Sequence, residues 1–328
     1  MKTRILCTAL LALTAGLVVQ GAEVTPAELR AKALDFFGVL PDKMPGSEHD
    51  TPARIELGRQ LYFDNRLSVN DSQPCNTCHR LDENRAGVDN EPTSGGAFNK
   101  RGDRNSPTTL NAGFHFAQFW DGRAEDLKEQ AKGPVLNSVE MAMPDEATVV
   151  KKLKAVAEYR QGFAKAFPGT PDPVTYDHMA EAIAAFERTL ITRDRFDDFQ
   201  KGDDRALSAA ELKGLDLFLS VGCTTCHNGP VLGANSFQKV GLIHPYETKD
   251  LGRFLVTQEE GDEYRFKVPS LRNVVLTWPY FHDGKQTDLR DTTIKMAHMQ
   301  LDRKLEPAEA DALTALMHAF TDKARAKK

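Results

Sequence analysis

Two copies of the pentapeptide Cys-x-x-Cys-His constrain this chain more than any other feature: Cys75-Asn76-Thr77-Cys78-His79 and Cys223-Thr224-Thr225-Cys226-His227. Two thiols at this spacing can bond the two vinyl groups of one porphyrin, and the adjacent histidine can ligate its iron. The pattern is the attachment signal of a c-type haem. The motifs use four of the five cysteines, the fifth being Cys7 in an apolar leader. The fold must therefore wrap two covalent c-type haems, attached at Cys75, Cys78, Cys223 and Cys226, with His79 and His227 as iron ligands. Zinc competes for the same residue types. It would need the Cys pairs to meet each other or other ligands, and the histidine directly after each pair favours haem.

Residues 1–22 read as a signal peptide. Lys2 and Arg4 precede a mostly apolar stretch from Ile5 to Val19, and Gly21-Ala22 offer small residues for cleavage. No other apolar run reaches the ~20 residues that span a bilayer. The expectation is a periplasmic protein with no membrane anchor. About 306 residues remain, enough for two domains. Without the two leader cations the formal charge of −5 becomes −7, which disfavours nucleic acid as a partner.

The chain also repeats itself. Glu56-Leu57-Gly58 and Leu61-Tyr62-Phe63 precede the first motif; Glu211-Leu212-Lys213-Gly214 and Leu217-Phe218-Leu219 precede the second. Each run predicts a short amphipathic helix, and Ser208 with Glu211 forms a capping box. Residues 306–320 predict another helix, with Pro307 near its start and Leu313, Leu316, Met317 and Phe320 on one stripe. A leading helix crossing a terminal helix over Cys-x-x-Cys-His is the arrangement of cytochrome c domains. The expected class is mainly α, with two such domains in tandem. Residues 177–199 favour helix, and the turn signal Lys201-Gly202-Asp203-Asp204 follows. The boundary is placed there, giving an N-terminal haem domain over 23–195 and a C-terminal one over 196–328. Gly- and Pro-rich stretches at 86–107 and 228–245 read as loops around the haems. Strand signal is confined to Arg253–Val256 and Tyr264–Val268, which would make a small hairpin.

The far side of each iron decides what a haem does: methionine opposite histidine makes an electron-transfer centre, and an empty position makes a reactive one. Downstream of His227 lies Lys295-Met296-Ala297-His298-Met299-Gln300-Leu301, in which Met296 is the expected ligand, with Met299 and His298 as rivals. Residues 80–114 contain neither His nor Met. His115, between two phenylalanines, and Met141 and Met143 read as packing groups. The first haem therefore has an open face.

At this point the chain resembles the bacterial di-haem cytochrome c peroxidase family over essentially its whole length beyond the leader. The segments that carry the resemblance are CNTCH at 75–79, QFWDGRAEDLKEQAKGP at 118–134, NSVEM at 137–141, CTTCH at 223–227, FKVPSLRNVVLT at 266–277, PYFHDG at 279–284 and KMAHMQL at 295–301. The resemblance implies a peroxidatic N-terminal haem and an electron-accepting C-terminal haem ligated by His227 and Met296. It implies reduction of hydrogen peroxide to water with electrons from a small periplasmic cytochrome c or cupredoxin, and it allows a homodimer. By the same motifs Glu140 matches the distal acid–base and Gln130 the distal amide. Trp120 matches the tryptophan between the haems. Asn105, with the carbonyls of Thr277 and Pro279, matches a calcium site at the domain junction.

One departure stands out. Many members of the family carry a histidine in a Gly-His-Gly loop that caps the oxidised peroxidatic iron until the second haem is reduced. Here the aligned residue is Ala97, in Gly95-Gly96-Ala97-Phe98. The expectation is an open haem that needs no reductive uncapping. Two rival functions remain: a di-haem electron carrier, which would need two capped haems, and the related tryptophan-quinone-forming enzyme, which has tyrosine where Met296 stands.

Overall fold

The computed structural model describes residues 24–326, so the expected leader lies outside the described residues. Eleven helices are present among them: α1 (Pro26–Phe37), α2 (Pro52–Tyr62), α3 (Leu127–Leu136), α4 (Glu146–Ala155), α5 (Ala157–Ala166), α6 (Tyr176–Glu187), α7 (Arg195–Gln200), α8 (Ala209–Ser220), α9 (Phe254–Thr257), α10 (Leu289–Leu301) and α11 (Pro307–Ala319). Two short strands, β1 (Phe237–Lys239) and β2 (Arg265–Lys267), pair antiparallel. The class is mainly α, as expected. No helix among the described residues is long and apolar enough to cross a membrane.

Local sequence explains where most helices begin. Thr25, Thr51, Asp126, Asp145, Thr175, Asp194, Ser208 and Asp288 each accept a hydrogen bond from a first-turn amide of the helix that follows. Ser208 and Glu211 form the expected reciprocal box, and Pro26, Pro52 and Pro307 open their helices at the position that needs no amide.

The repeat becomes two helix crossings. α2 packs on α6 and α8 on α11. Each crossing is close enough that only glycine fits. A Cβ on Gly58 would overlap the Ala182 carbonyl, and one on Gly214 would overlap the Ala312 carbonyl. Leu57, Leu61 and Tyr62 of α2 join Phe163, Met179 and Ile183 in the first core. Leu215 and Phe218 of α8 join Leu313 and Leu316 of α11 in the second.

Two features differ from the sequence expectations. The buried face of α1, Leu29, Ala33 and Phe37, packs in the second core with Phe196 and Phe199, although it lies near the start of the chain. The hairpin is also corrected: β2 pairs with 237–239, and residues 254–257 form the helical turn α9. Gly252 has φ +63 and its Cα faces the Arg265 carbonyl, so the chain turns where an extended run was read. Leu255 and Val256 are left exposed, which explains why apolar composition there did not make a strand.

Ion pairs tie the halves together. Arg104 forms a two-pronged pair with Asp250 (2.6 and 2.8 Å) and reaches Asp121 at 2.6 Å. Arg272, fully buried, is held between Asp194 at 2.6 Å and Asp197 at 2.9 Å.

Candidate haem centres and active site

Both pentapeptides fold alike. In each, the histidine amide bonds the first cysteine's carbonyl, His79 to Cys75 at 3.0 Å and His227 to Cys223 at 2.9 Å. The following backbone then fixes the imidazole. His79 Nδ1 is 3.0 Å from the Pro107 carbonyl and His227 Nδ1 is 3.2 Å from the Leu232 carbonyl. A carbonyl accepts only from N–H, so both rings carry their proton on Nδ1 and present the Nε2 lone pair, as an iron-ligating histidine must. Burial lowers the pKa of both, that of His227 to about 4, which keeps them neutral. Both residues are nonetheless partly accessible rather than fully buried.

The four thiols are unpaired. Burial raises all four, Cys78 to about 11 and Cys223 to about 12. Zinc would need thiolates gathered around one point. Among the described residues, the one grouping of three or more metal-ligating side chains contains no cysteine. The donor set instead fits two separate haems, each with two thiols and one oriented imidazole.

A buried lysine strengthens that fit. Lys267 lies inside the molecule with its ammonium 3.1 Å from His115 Nδ1, and among the described residues no carboxylate pairs with it. Burial lowers its pKa to about 8. Burial and then the Lys267 charge push His115 well below its ordinary value, and His115 Nε2 is buried without a partner. An interior cation of this kind calls for an anion, and haem brings propionates. Sequence reasoning gave Lys267 no role; its place in the 266–277 segment was the available signal.

Two of the expected active-site residues lie on α3 and in the turn that follows it. Glu140 sits in the turn after α3, where its Oε1 accepts from Asn137 Nδ2 at 2.7 Å. Burial raises its pKa above the ordinary carboxylate value, against the pull of Arg123 and of the Asn137 bond. Its charge is among the smaller influences that, after burial, raise Cys75 and Cys78, which sets it on the same side of the fold as these thiols. Gln130 lies on α3, partly buried, and its side-chain amide bonds no protein group among the described residues. Glu187, which sequence reasoning missed, is buried with its pKa raised to about 8. Its charge reaches Tyr62, whose hydroxyl bonds the His79 carbonyl at 2.6 Å, and also raises Cys75.

The loop at Ala97 closes directly on Glu140. The Ala97 amide donates to the Glu140 carbonyl at 2.6 Å, and Gln73 Nε2 donates to the same oxygen at 2.8 Å. A Cβ on Gly96 would overlap the Val139 carbonyl, so the glycine permits this close approach. Ala97 itself is fully buried.

Trp120 joins the two halves. Its indole N–H donates to the Asn105 carbonyl at 2.8 Å, and its own carbonyl accepts from the Lys267 amide at 2.7 Å. Asn105 is buried, with Nδ2 donating to the Glu91 carbonyl at 2.9 Å. Asn90 Nδ2 takes the carbonyls of Leu276 (3.0 Å) and Trp278 (2.6 Å). The alternate carbonyls, Thr277 and Pro279, accept no hydrogen bond among the described residues, nor does Asn105 Oδ1. Near the second pentapeptide, α10 carries Met296 half-buried and Met299 buried. His298 is exposed and stacks on His244. Met141 and Met143 are packed in the first core.

Comparison with known proteins identifies the family. A family model described as di-haem cytochrome c peroxidase matches residues 52–205. The cytochrome c551 peroxidase of Pseudomonas aeruginosa is 46% identical over 274 residues, covering 82% of this chain and 78% of that protein. The methylamine utilization protein MauG of Methylophilus methylotrophus is 34% identical, covering 78% and 76%. Among solved structures, a MauG-like protein associated with microbial copper homeostasis superposes with a TM-score of 0.78 at 27% identity, covering 89% of this chain and 96% of that one. With peroxidases this similar over most of its length, the chain belongs to the di-haem cytochrome c peroxidase family and is a two-haem cytochrome-c peroxidase.

Proposed function

We propose that this peroxidase works in the periplasm with two unequal haems: an open one at Cys75, Cys78 and His79 that reduces hydrogen peroxide, and a relay at Cys223, Cys226, His227 and Met296. A small cytochrome c or cupredoxin supplies the electrons. The division into an N-terminal peroxidatic domain, 23–195, and a C-terminal relay domain, 196–328, follows the two motifs, with α1 of the N-terminal segment lent to the core of the C-terminal domain. The observation that carries this reading is the bond from the Ala97 amide to the Glu140 carbonyl. Where relatives with a capping histidine have a movable ligand, this chain has a methyl group and a loop fastened to the acid–base segment. The other side chains within reach in sequence are engaged elsewhere: His115 with Lys267, and Met141 and Met143 in the core.

Bound haem supplies the redox chemistry of the overall reaction, in which peroxide takes two electrons and two protons and leaves as two waters. The protein moves the protons. The unengaged amide of Gln130 holds the substrate by hydrogen bonds in a site that excludes bulk water. Glu140, ionised, accepts the proton from one peroxide oxygen and returns it to the departing one. A pKa raised by burial suits a group that must do both near neutral pH. Asn137 steadies one carboxylate oxygen and leaves the other for the substrate. Trp120 fills the gap between the haem-bearing halves, bonded to each. The oxygens of Asn105, Thr277 and Pro279 suit a hard cation such as calcium, which takes neutral carbonyl and amide oxygens.

The test is activation. Fully oxidised enzyme mixed with peroxide in a stopped-flow spectrometer is expected to react in the first turnover, with no prior reduction. A lag abolished only by pre-reducing the second haem contradicts the open-haem reading.

A further inference from the structure

We infer that His244, His298 and Asp302 form a binding site for a divalent late transition-metal ion, zinc or copper(II), on the surface beside the last turn of α10. The ligand atoms of the three side chains lie within 4.8 Å of one another. His244 Nε2 is 2.6 Å from Asp302 Oδ1, and the imidazoles of His244 and His298 are stacked, 4.0 Å between centres and 13° from parallel. Two imidazoles and one carboxylate are an N2O donor set. Zinc and copper(II) take such a set and fill the remaining position with water, whereas calcium and magnesium prefer all-oxygen ligands.

The site is built on fixed backbone. His298 lies in the last turn of α10 and Asp302 is its left-handed C-cap, with the Asp302 amide donating to the His298 carbonyl at 3.0 Å, so the helix end fixes their separation. His244 comes from the segment after β1, which is fastened to the same turn. The amides of Ile243 and His244 both donate to the Met299 carbonyl, at 3.0 and 3.2 Å. The Leu242 amide donates to Gln300 Oε1 at 2.7 Å, and Gln300 Nε2 donates to the Lys239 carbonyl at 3.0 Å. Gly241, at φ +71, makes the turn that brings His244 over the helix end. Backbone on both sides is therefore in place before any ion arrives, and only side-chain rotamers must settle.

Nearby cations do not occupy the carboxylate. Lys295 lies over the Tyr246 ring at 4.9 Å, and Arg303 pairs with Glu309 at 2.9 Å. Their charge keeps the affinity modest. A bound ion would clip the segment from Lys239 to Tyr246 onto the helix that carries Met296, on a face exposed to solvent.

The competing account is a surface His244–Asp302 ion pair with His298 stacked on it and no ion. Calorimetric titration with zinc separates the two, using chelator-treated, haem-loaded enzyme in saturating calcium. The site predicts one zinc bound per chain, with affinity falling about tenfold or more in His298→Ala and in His244→Ala. Both variants should keep the wild-type haem spectrum, since the side chains are on the surface. Zinc-edge anomalous scattering from soaked crystals should place the ion between the three residues. No zinc bound by the wild type, or equal binding by the wild type and both variants, overturns the inference.

Discussion

On the mechanism proposed above, replacing Glu140 with glutamine removes the proton-transferring group while leaving the site's scaffold intact. The Glu140 carbonyl keeps its bonds from Ala97 and Gln73, and a glutamine Oε1 can still accept from Asn137 Nδ2. General acid–base catalysis contributes roughly 10²–10⁴-fold, or about 3–5 kcal/mol in the barrier at 1.36 kcal/mol per decade. The expected loss for Glu140→Gln is about a thousandfold in kcat, the middle of that range, with KM for peroxide little changed if, as proposed, Gln130 binds it. The pH profile gives an independent readout. Glu140 must be ionised to accept the first proton, and burial raises its pKa, so wild-type activity falls as pH drops through that raised value. Glutamine does not titrate, and this acid limb should vanish. The assay is steady-state oxidation of a reduced small cytochrome by peroxide across pH. A loss smaller than about tenfold, or an acid limb unmoved in the variant, would refute the assignment.

Other consequences concern the scaffold. Gly58→Ala and Gly214→Ala should each separate a pair of crossing helices, costing about 1–3 kcal/mol of overpacking, and should lower the unfolding midpoint in denaturant despite alanine's better helix propensity; an unchanged or raised midpoint would contradict the packing. Asp194→Ala strips one partner from the fully buried Arg272 and should cost about 3–5 kcal/mol, measured by denaturant unfolding of the haem-loaded protein, whereas a loss below about 1 kcal/mol would show that Asp197 alone satisfies the guanidinium.

The readable part of the molecule was its local grammar. The capping residues and the apolar stripes of α8 and α11 are encoded within a few positions, and so are the two haem pentapeptides. Interactions between distant segments were not encoded that way. That α1 packs in the second core depends on where the chain is carried, not on its own pattern, which would suit either core. The pairing of β2 with 237–239 was missed because strand composition near 254 was stronger, and Gly252 overrode it by turning the backbone. Glu140, Gln130 and Trp120 were legible only through resemblance, since one Glu, Gln or Trp in a helix-rich stretch is usually surface or core. Lys267 opposite His115 had no local signal at all: a buried lysine is visible only when the surrounding fold removes water from it.

The claim that the two haems are unequal is tested most directly by electron paramagnetic resonance of the fully oxidised protein near neutral pH. A haem held by His79 with an open far side should be high-spin, and one held between His227 and Met296 should be low-spin, giving one signal of each kind in equal amounts. Two low-spin signals would contradict the account, because a protein side chain would then occupy the position proposed to be open.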